Sequence, residues 1–156
     1  MAFDKPSLKG RALRLLAQRE HSRAELQRKL SAHEEQPGEL AQALDELQAK
    51  GFIDEQRVIE SVIHRRAARL GASRVRQELQ AKGLPADAVA QAVAALRGSE
   101  VDRARDVWRK KFGAPPADAS ERAKQMRFLA SRGFGGDAIR RVVAGDDAPA
   151  FEPPED

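Results

Sequence analysis

The chain has 156 residues, a net charge of +4 and only 4% aromatic residues, and it contains neither cysteine nor tyrosine. The lack of cysteine excludes disulfides and thiolate metal ligands, and no apolar run is long enough for a signal peptide or a membrane span. This composition predicts a cytoplasmic protein whose core consists mostly of Leu, Val, Ile and Ala.

The charge is distributed unevenly along the chain. Residues 54–98 carry eight basic and five acidic side chains, and residues 99–145 carry eleven and six. Residues 146–156 carry five acidic side chains and no basic one. A basic body of this kind favours polyanions such as nucleic acid, or an acidic protein surface.

The first third of the sequence predicts three helices. The first covers residues 8–19, where apolar residues recur at helical spacing. Ser22 and Glu25 then form a capping-box pattern at the start of the second helix. A third helix is predicted from about residue 37 to residue 50.

The middle third follows the same plan. Asp54 is expected to cap a helix that runs to about Leu70 and is stopped by a glycine. Ser73 is expected to cap the next helix, and Pro85 opens a third that continues to Leu96. The residue types here, rich in Ala, Leu, Arg, Gln and Glu, lose little side-chain freedom in a helix.

In the last third of the sequence, a helix is predicted to start at Ser99. It ends at a break at residues 113–116, Gly-Ala-Pro-Pro. Asp118 restarts a helix that runs toward Gly133, and a final helix covers about residues 137–144. Beyond it, the proline-rich acidic residues 146–156 predict a disordered tail.

An internal repeat links the last two thirds. Residues 82–93 and 132–143 each contain a basic residue, Gly, an apolar residue, two spacers, Asp-Ala, Val or Ile, and a second Val four positions later. Tandem copies of a small helical unit present an extended surface that suits large partners. We therefore predict an all-α fold of three tandem three-helix repeats that form an elongated, curved rod. The predicted repeats are residues 1–53, 54–98 and 99–145.

The order and spacing of certain residues resemble the RecX family over residues 8–144. They are Ser22, Glu25, Leu26, Lys29 and Leu30, then Leu44, Leu47, Gly51, Phe52, Ile53 and Asp54, then Arg66, Gly71, Arg74, Leu79 and Gly83, and finally Phe128, Leu129, Arg132, Gly133, Phe134 and Ile139. The tail lies outside this pattern. Val58 and Ile59 stand where relatives often carry an aromatic residue followed by Ala.

The resemblance implies a regulator of the RecA recombinase that acts in recombination, DNA repair and the SOS response. It implies a monomeric, non-enzymatic protein that lies in the groove of the RecA–DNA filament. There it would inhibit filament extension, ATP hydrolysis, strand exchange and coprotease activity, and it would bind bare single- and double-stranded DNA only weakly. Because the family has no short binding motif, it assigns no individual contact residue in this chain.

The basic residues of the second and third repeats are the candidates for contact with RecA or DNA, since Arg and Lys side chains bind phosphates and carboxylates. They are Arg65, Arg66, Arg69, Arg74, Arg76, Lys82, Arg109, Lys110, Lys111, Arg127, Arg132, Arg140 and Arg141. The alternative is that these side chains are only the solvated faces of amphipathic helices.

The remaining conspicuous residues are expected to have structural roles. Trp108 and Phe112 are predicted to form an apolar pair in the core, and Phe52 and Phe134, which each follow a glycine, are predicted to be buried. Asp87 and Asp137 are predicted to cap helices. The three histidines, His21, His33 and His64, lack metal-ligand spacing and are expected at the surface or at caps.

No nucleophile–base pair, zinc signature or nucleotide fingerprint is present in the sequence, so we expect neither catalysis nor a cofactor. Two other functions remain open. Three-helix units with a Ser-capped second helix also occur in helix-turn-helix DNA-binding modules and transcriptional regulators. A helical scaffold for an acidic protein is the third possibility.

Overall fold

The structure is a computed structural model that describes residues 5–145, and the secondary structure in this range is entirely helical. The helices are α1 (Leu8–Gln18), α2 (Arg23–Leu30), α3 (Glu39–Ala49), α4 (Glu55–Arg66), α5 (Ala72–Ala81), α6 (Ala86–Arg97), α7 (Glu100–Lys111), α8 (Ala119–Ser131) and α9 (Gly136–Val143). A short 3₁₀ helix, Ser31–His33, follows α2. The all-α prediction is confirmed. Within the described range, no helix has the length and apolar character needed to cross a membrane.

The described chain divides into two compact units. Unit 1 contains residues 5–65 and 76–92, and unit 2 contains residues 66–75 and 93–145. Each unit therefore holds one complete outer group of three helices together with part of the middle group. The boundaries of the three repeats given above stay a prediction.

Several helices start where the sequence predicts. Ser22 and Glu25 form the full capping box of α2, in which each side chain accepts the other residue's backbone N–H at 3.1 Å. Asp118 accepts a backbone hydrogen bond of 2.8 Å in the first turn of α8, and Asp54 accepts one of 3.1 Å in the first turn of α4. These caps satisfy N–H groups that have no partner within the helix.

The core of unit 1 lies where α1 packs against α2 and α3. Leu26, Leu44 and Leu47 are fully buried there. Ile53 joins this core, but Phe52 is 47% exposed, so the prediction that Phe52 is buried is wrong. Of these two neighbouring side chains in the turn after α3, only Ile53 is buried.

The core of unit 2 lies where α7 and α8 pack against α9. Ala104 and Leu129 are fully buried, and Ile139 of α9 lies beside them. Phe134 is only 5% exposed, which confirms its predicted place in the core. Met126 also packs against this cluster.

Two connections of unit 2 bind each other through their main chains. The Gly71 N–H donates to the Arg132 carbonyl at 2.8 Å, and the Ser73 N–H donates to the Gly133 carbonyl at 3.3 Å. A Cβ atom at Gly71 would collide with the backbone of Gly133. Glycine at position 71 therefore permits a close approach between segments about sixty residues apart in sequence.

Helix α4 ends before the predicted Leu70 because the next carbonyls bind a side chain. The half-buried Arg103 guanidinium donates to the carbonyls of Ala67 at 2.9 Å and of Leu70 at 2.6 Å. The prediction that Ser73 caps the following helix is also wrong. Since α5 begins at Ala72, Ser73 already lies in its first turn.

His21 is almost completely buried, so the expected surface position is wrong for this histidine. Its Nδ1 lies 3.0 Å from the Arg19 carbonyl, and its Nε2 lies 3.2 Å from the Lys29 ammonium. Burial lowers the pKa of His21. A neutral ring fits both contacts, with Nδ1–H as the donor to Arg19 and Nε2 as the acceptor from Lys29. The predicted disordered tail, residues 146–156, lies outside the described residues.

Candidate functional site

The thirteen predicted contact residues are mostly at the surface. Arg76 and Lys82 are partly buried, and the other eleven are exposed. Unit 1 contains Arg65, Arg76 and Lys82. Unit 2 contains Arg66, Arg69, Arg74, Arg109, Lys110, Lys111, Arg127, Arg132, Arg140 and Arg141. Most of the candidate positive charge is therefore on unit 2.

Lys82 belongs to a polar cluster inside unit 1. Its side chain is 12% exposed, and its ammonium lies 3.4 Å from the buried Glu25 carboxylate. The Lys82 carbonyl also accepts the Ser22 hydroxyl. Both the charge and the main chain of Lys82 are therefore engaged within unit 1.

The Glu25 carboxylate is the centre of that cluster. It accepts hydrogen bonds from Arg19 at 2.8 Å and from the Ser22 N–H at 3.1 Å. Burial alone would raise the pKa of Glu25, but the hydrogen bonds from Arg19 and Ser22, with the charge of Lys82, lower it to about 2. The carboxylate therefore stays ionised and holds the start of α2 against the end of α5.

Unit 2 brings four of the predicted residues around one cavity of about 390 Å³. The basic residues at this cavity are Arg69, Lys110, Lys111 and Arg132. Its apolar lining consists of Ala68, Val107 and Phe128. We call this cavity the Phe128 pocket. None of its lining residues is acidic, and among residues 5–145 no acidic side chain forms an ion pair with the four basic ones.

The Phe128 ring lies at the centre of the contacts in the pocket. The Lys111 ammonium is 5.5 Å from the ring centroid and the Arg132 guanidinium carbon is 5.0 Å from it. Both distances are within the range of a cation–π interaction. The ring of Phe112 meets Phe128 edge to face, with 5.4 Å between centroids and an interplanar angle of 88°. The aromatic surface and the positive charge are therefore adjacent.

The local sequence explains this arrangement. Phe128 and Arg132 are four residues apart at the end of α8, so they lie on the same face. Lys110 and Lys111 occupy the last turn of α7, where positive charge is favoured by the helix dipole. Arg69 lies in the turn after α4, and the hydrogen bonds of Arg103 hold that turn in place.

A buried amide fixes the junction between α7 and α8. Gln125 accepts the Trp108 indole N–H at 2.8 Å and donates to the Ala114 carbonyl at 3.1 Å. Trp108 packs against the core, as predicted. The aromatic contact of Phe112, however, is with Phe128, and this places Phe112 beside the pocket instead of in the predicted pair with Trp108.

The other predicted residues of unit 2 lie outside the pocket lining. Arg127 lines a separate cavity of about 480 Å³ with Phe112 and Lys124. Arg74 lies directly over the backbone of Gly133. Arg141 is paired with Asp137 at 3.7 Å, four residues earlier on α9. The structure therefore brings together one subset of the predicted residues and leaves the rest dispersed over the unit.

Phe128 is the residue of this site that sequence reasoning missed. Its identity was visible only as part of a family pattern, although its i, i+4 relation to Arg132 could be read from the sequence. The sequence did not show that Lys110 and Lys111 lie beside Phe128, because that arrangement depends on how the break at residues 113–116 folds. Among residues 5–145, no three His, Asp or Glu side chains lie together as metal ligands.

Comparison with known proteins identifies the family. The models of the first, second and third three-helix domains of RecX match residues 9–47, 54–93 and 99–143. The chain belongs to the RecX family. The resemblance read from the sequence is thereby confirmed, and so is the arrangement of three tandem three-helix units.

Relatives match over almost the whole chain. Regulatory protein RecX of Leptothrix cholodnii is 57% identical over 145 residues, which cover 92% of each chain. Regulatory protein RecX of Ralstonia nicotianae is 49% identical and covers 91% of this chain and 89% of its own. These relatives are named regulatory proteins, and membership of the family makes this chain a regulatory protein as well.

Solved structures support the fold. The crystal structure of RecX from Lactobacillus salivarius matches with a TM-score of 0.75 at 19% identity, covering 90% of this chain and 94% of that one. Another crystal structure of regulatory protein RecX matches with a TM-score of 0.72 at 16% identity, covering 89% of this chain and 72% of that one. The RecX fold is therefore retained although most side chains differ.

Proposed function

We propose that this chain is a non-enzymatic modulator of RecA. In this proposal it binds the groove of the RecA–DNA filament and inhibits filament extension, ATP hydrolysis, strand exchange and coprotease activity. It acts as a monomer in the cytoplasm and binds bare single- and double-stranded DNA weakly. Its roles would lie in DNA repair, homologous recombination and the SOS response.

The observation that carries the proposal is the match of all three RecX domains, combined with the concentration of exposed positive charge on unit 2. A filament of protein and DNA is a polyanion, and clustered Arg and Lys side chains attract it at long range. Lys110 and Lys111 are the strongest candidates for this contact, since they are adjacent, exposed and without an ionic partner among residues 5–145.

The test is the steady rate of ATP hydrolysis by RecA on single-stranded DNA while this protein is titrated in. We expect suppression at ratios well below one protein per RecA subunit, because inhibited extension prevents the addition of many subunits. An unchanged rate at equimolar protein would contradict the proposal. Tight, salt-sensitive binding to bare duplex in a parallel assay would then favour a DNA-binding module instead.

Two charge-reversal variants locate the contact. Lys110→Glu with Lys111→Glu removes positive charge from unit 2, and Arg14→Glu with Lys50→Glu makes the same change in net charge at exposed positions of unit 1. We expect the first pair to weaken inhibition by about tenfold or more and the second pair to have little effect. Equal loss in both pairs would show that only the net charge matters.

A further inference from the structure

The Phe128 pocket combines two features that a simple basic patch lacks. It has an apolar floor with an aromatic ring, and it has four cationic side chains around that floor. Its volume of about 390 Å³ is within the range of small-molecule and cofactor sites. A ligand that satisfies both features must carry a flat or apolar group together with more than one negative charge.

We propose that the Phe128 pocket binds one nucleotide unit of single-stranded DNA. The base lies on the apolar floor against Phe128, and the phosphates on either side bind the cations around it. Stacking on an aromatic ring next to a positively charged groove is the usual way in which proteins hold single strands without reading their sequence. The proposal rests on the weak binding of single-stranded DNA in the proposed function and gives that binding a site.

The donor chemistry of the pocket favours phosphates. Arg132 and Arg69 each present a planar guanidinium that can bind a phosphate through two N–H groups, whereas Lys110 and Lys111 act as compact charges. The guanidinium of Arg132, already 5.0 Å from the Phe128 centroid, is also a surface on which a base can stack. Four cations with no acidic residue in the lining match a repeating polyanion better than a single carboxylate.

The same chemistry predicts little base or sugar specificity. The lining side chains are Arg, Lys, Ala, Val and Phe, none of which can accept a hydrogen bond. They cannot bind the amino groups of adenine or cytosine, nor can they accept the 2′-hydroxyl of RNA. Oligo-dT should therefore bind at least as tightly as oligo-dA or oligo-dC, and an RNA strand of the same sequence should bind about equally.

A double-stranded ligand does not fit this arrangement. In a duplex the base faces are covered by neighbouring bases, so the Phe128 ring could reach one only after the base leaves the stack. Single strands expose their base faces at a much smaller cost. The pocket should therefore discriminate between single-stranded and duplex DNA, although both carry phosphates.

The first experiment is photocrosslinking of the unmodified protein to a short oligo-dT that contains 5-iododeoxyuridine, followed by trypsin digestion and mass spectrometry. Among residues 5–145, the five aromatic residues Phe52, Trp108, Phe112, Phe128 and Phe134 fall in five different tryptic peptides. We expect the crosslink in residues 128–132. A crosslink only in the peptides of the other aromatic residues would overturn the assignment.

The second experiment compares the affinities of oligo-dT and an abasic strand of equal length, by fluorescence anisotropy. Because a base stacked on an aromatic side chain contributes substantially to affinity, we expect the abasic strand to bind about tenfold more weakly. Equal affinities would show that the cations attract phosphates alone, and the stacking assignment would be wrong. Tighter binding of an acidic peptide with an aromatic residue than of oligo-dT would assign the pocket to a protein segment instead.

Variants separate stacking from charge. Phe128→Leu keeps an apolar side chain but removes the ring, so affinity should fall about tenfold while its dependence on salt stays the same. Lys110→Gln should weaken binding and reduce the slope of log affinity against log salt by roughly 0.7, the value for one lost phosphate contact on a single strand.

Arg122→Gln is the matched control, since Arg122 is exposed on the same helix but outside the pocket. It should change affinity by less than about twofold.

RecA is absent from all of these binding measurements, so they test the nucleotide site separately from the proposed function. If oligo-dT binding fails while RecA ATP hydrolysis is still inhibited, the nucleotide site is wrong and the proposed function stands. If oligo-dT binds as expected but RecA is unaffected, the proposed function is wrong and the site stands.

Discussion

The two copies of the internal repeat use the same basic position in opposite ways. Lys82 in unit 1 is 12% exposed and paired with Glu25, whereas Arg132 in unit 2 is exposed and lies over the Phe128 ring. The backbones are alike, since the glycine that follows has φ of +71° in one copy and +86° in the other. The two copies of the repeat therefore share a turn, whereas the residues packed around each turn determine the role of its basic side chain.

The neighbours themselves explain the difference. In unit 1 the turn packs closely on α2, where a Cβ at Gly83 would lie 2.6 Å from the Cβ of Ala24. The basic side chain is thus held beside the Glu25 carboxylate. In unit 2 the corresponding turn binds the backbone of Gly71, which leaves the basic side chain at the surface. Unit 1 pairs the charge within its own fold, and unit 2 leaves it exposed.

The largest expected effect contrasts the two phenylalanines that follow a helix-ending glycine. Phe134→Ala should destabilise unit 2 by about 3–5 kcal/mol, because it removes a buried ring and leaves a cavity. Phe52→Ala should change stability by less than about 0.5 kcal/mol, since that ring is at the surface. Urea denaturation measures both, with fluorescence of Trp108, the only tryptophan, as the probe of unit 2. Similar losses in the two variants would contradict the observed burial.

The next effect concerns the buried carboxylate of unit 1. Glu25→Gln should destabilise the protein by about 2–3 kcal/mol, because Arg19 and Lys82 lose a charged partner in a buried place. Glu46→Gln is the control, since Glu46 pairs with Lys9 at 3.1 Å on the surface, where such pairs contribute less than about 1 kcal/mol. Circular dichroism during urea titration distinguishes the two, and equal midpoints would refute the central role of Glu25.

A smaller but more direct effect tests the comparison of the two repeat copies. Lys82→Gln should cost about 1 kcal/mol of stability and leave oligo-dT binding unchanged. Arg132→Gln should cost less than about 0.5 kcal/mol but weaken oligo-dT binding severalfold. Thermal unfolding and fluorescence anisotropy provide the two readouts. The opposite pattern would mean that the copies do not differ in role.

The last effect is the dependence of stability on pH. The pKa of His21 is lowered from 6.5 by burial, so this side chain takes up a proton at a higher pH in the unfolded chain than in the folded chain. Stability therefore falls as the pH drops below about 6.5. The pKa of Glu25 is lowered from 4.5 to about 2, so a further loss follows as the pH drops from 4.5 toward 2.

Two variants assign these losses. His21→Gln should remove the first loss and Glu25→Gln the second, and His64→Gln, at an exposed histidine, should remove neither. The free energy of unfolding measured at several pH values provides the check. If the first loss persists without His21, another group is responsible for it.

Local interactions were predictable from sequence, and long-range ones were not. The capping box of Ser22 and Glu25 could be read directly, because its two partners are three residues apart. The burial of Phe134 and the exposure of Phe52 could not be distinguished by the glycine before each ring. That outcome depends on whether the next residue, here Ile53, offers a better apolar side chain to the core.

The candidate site shows the same limit. The sequence indicated that Arg69, Lys110, Lys111 and Arg132 are basic helix-surface residues, but not that they meet. Their meeting requires Arg103 to bind the turn at residues 67–70, and its acceptors there are main-chain carbonyls 33 and 36 residues away. Since every residue has a carbonyl, no side-chain pattern identifies those partners in advance.

The contact between Gly71 and Arg132 has a consequence for synthesis on the ribosome. Residues 66–75 leave the ribosome about sixty residues before the chain that receives their N–H groups, and they belong to the unit that is completed last. At synthesis rates of roughly 5–20 residues per second, this segment waits several seconds for its partner. A nascent chain halted near residue 100 should therefore remain sensitive to protease in this segment and become resistant only after residue 135 has emerged.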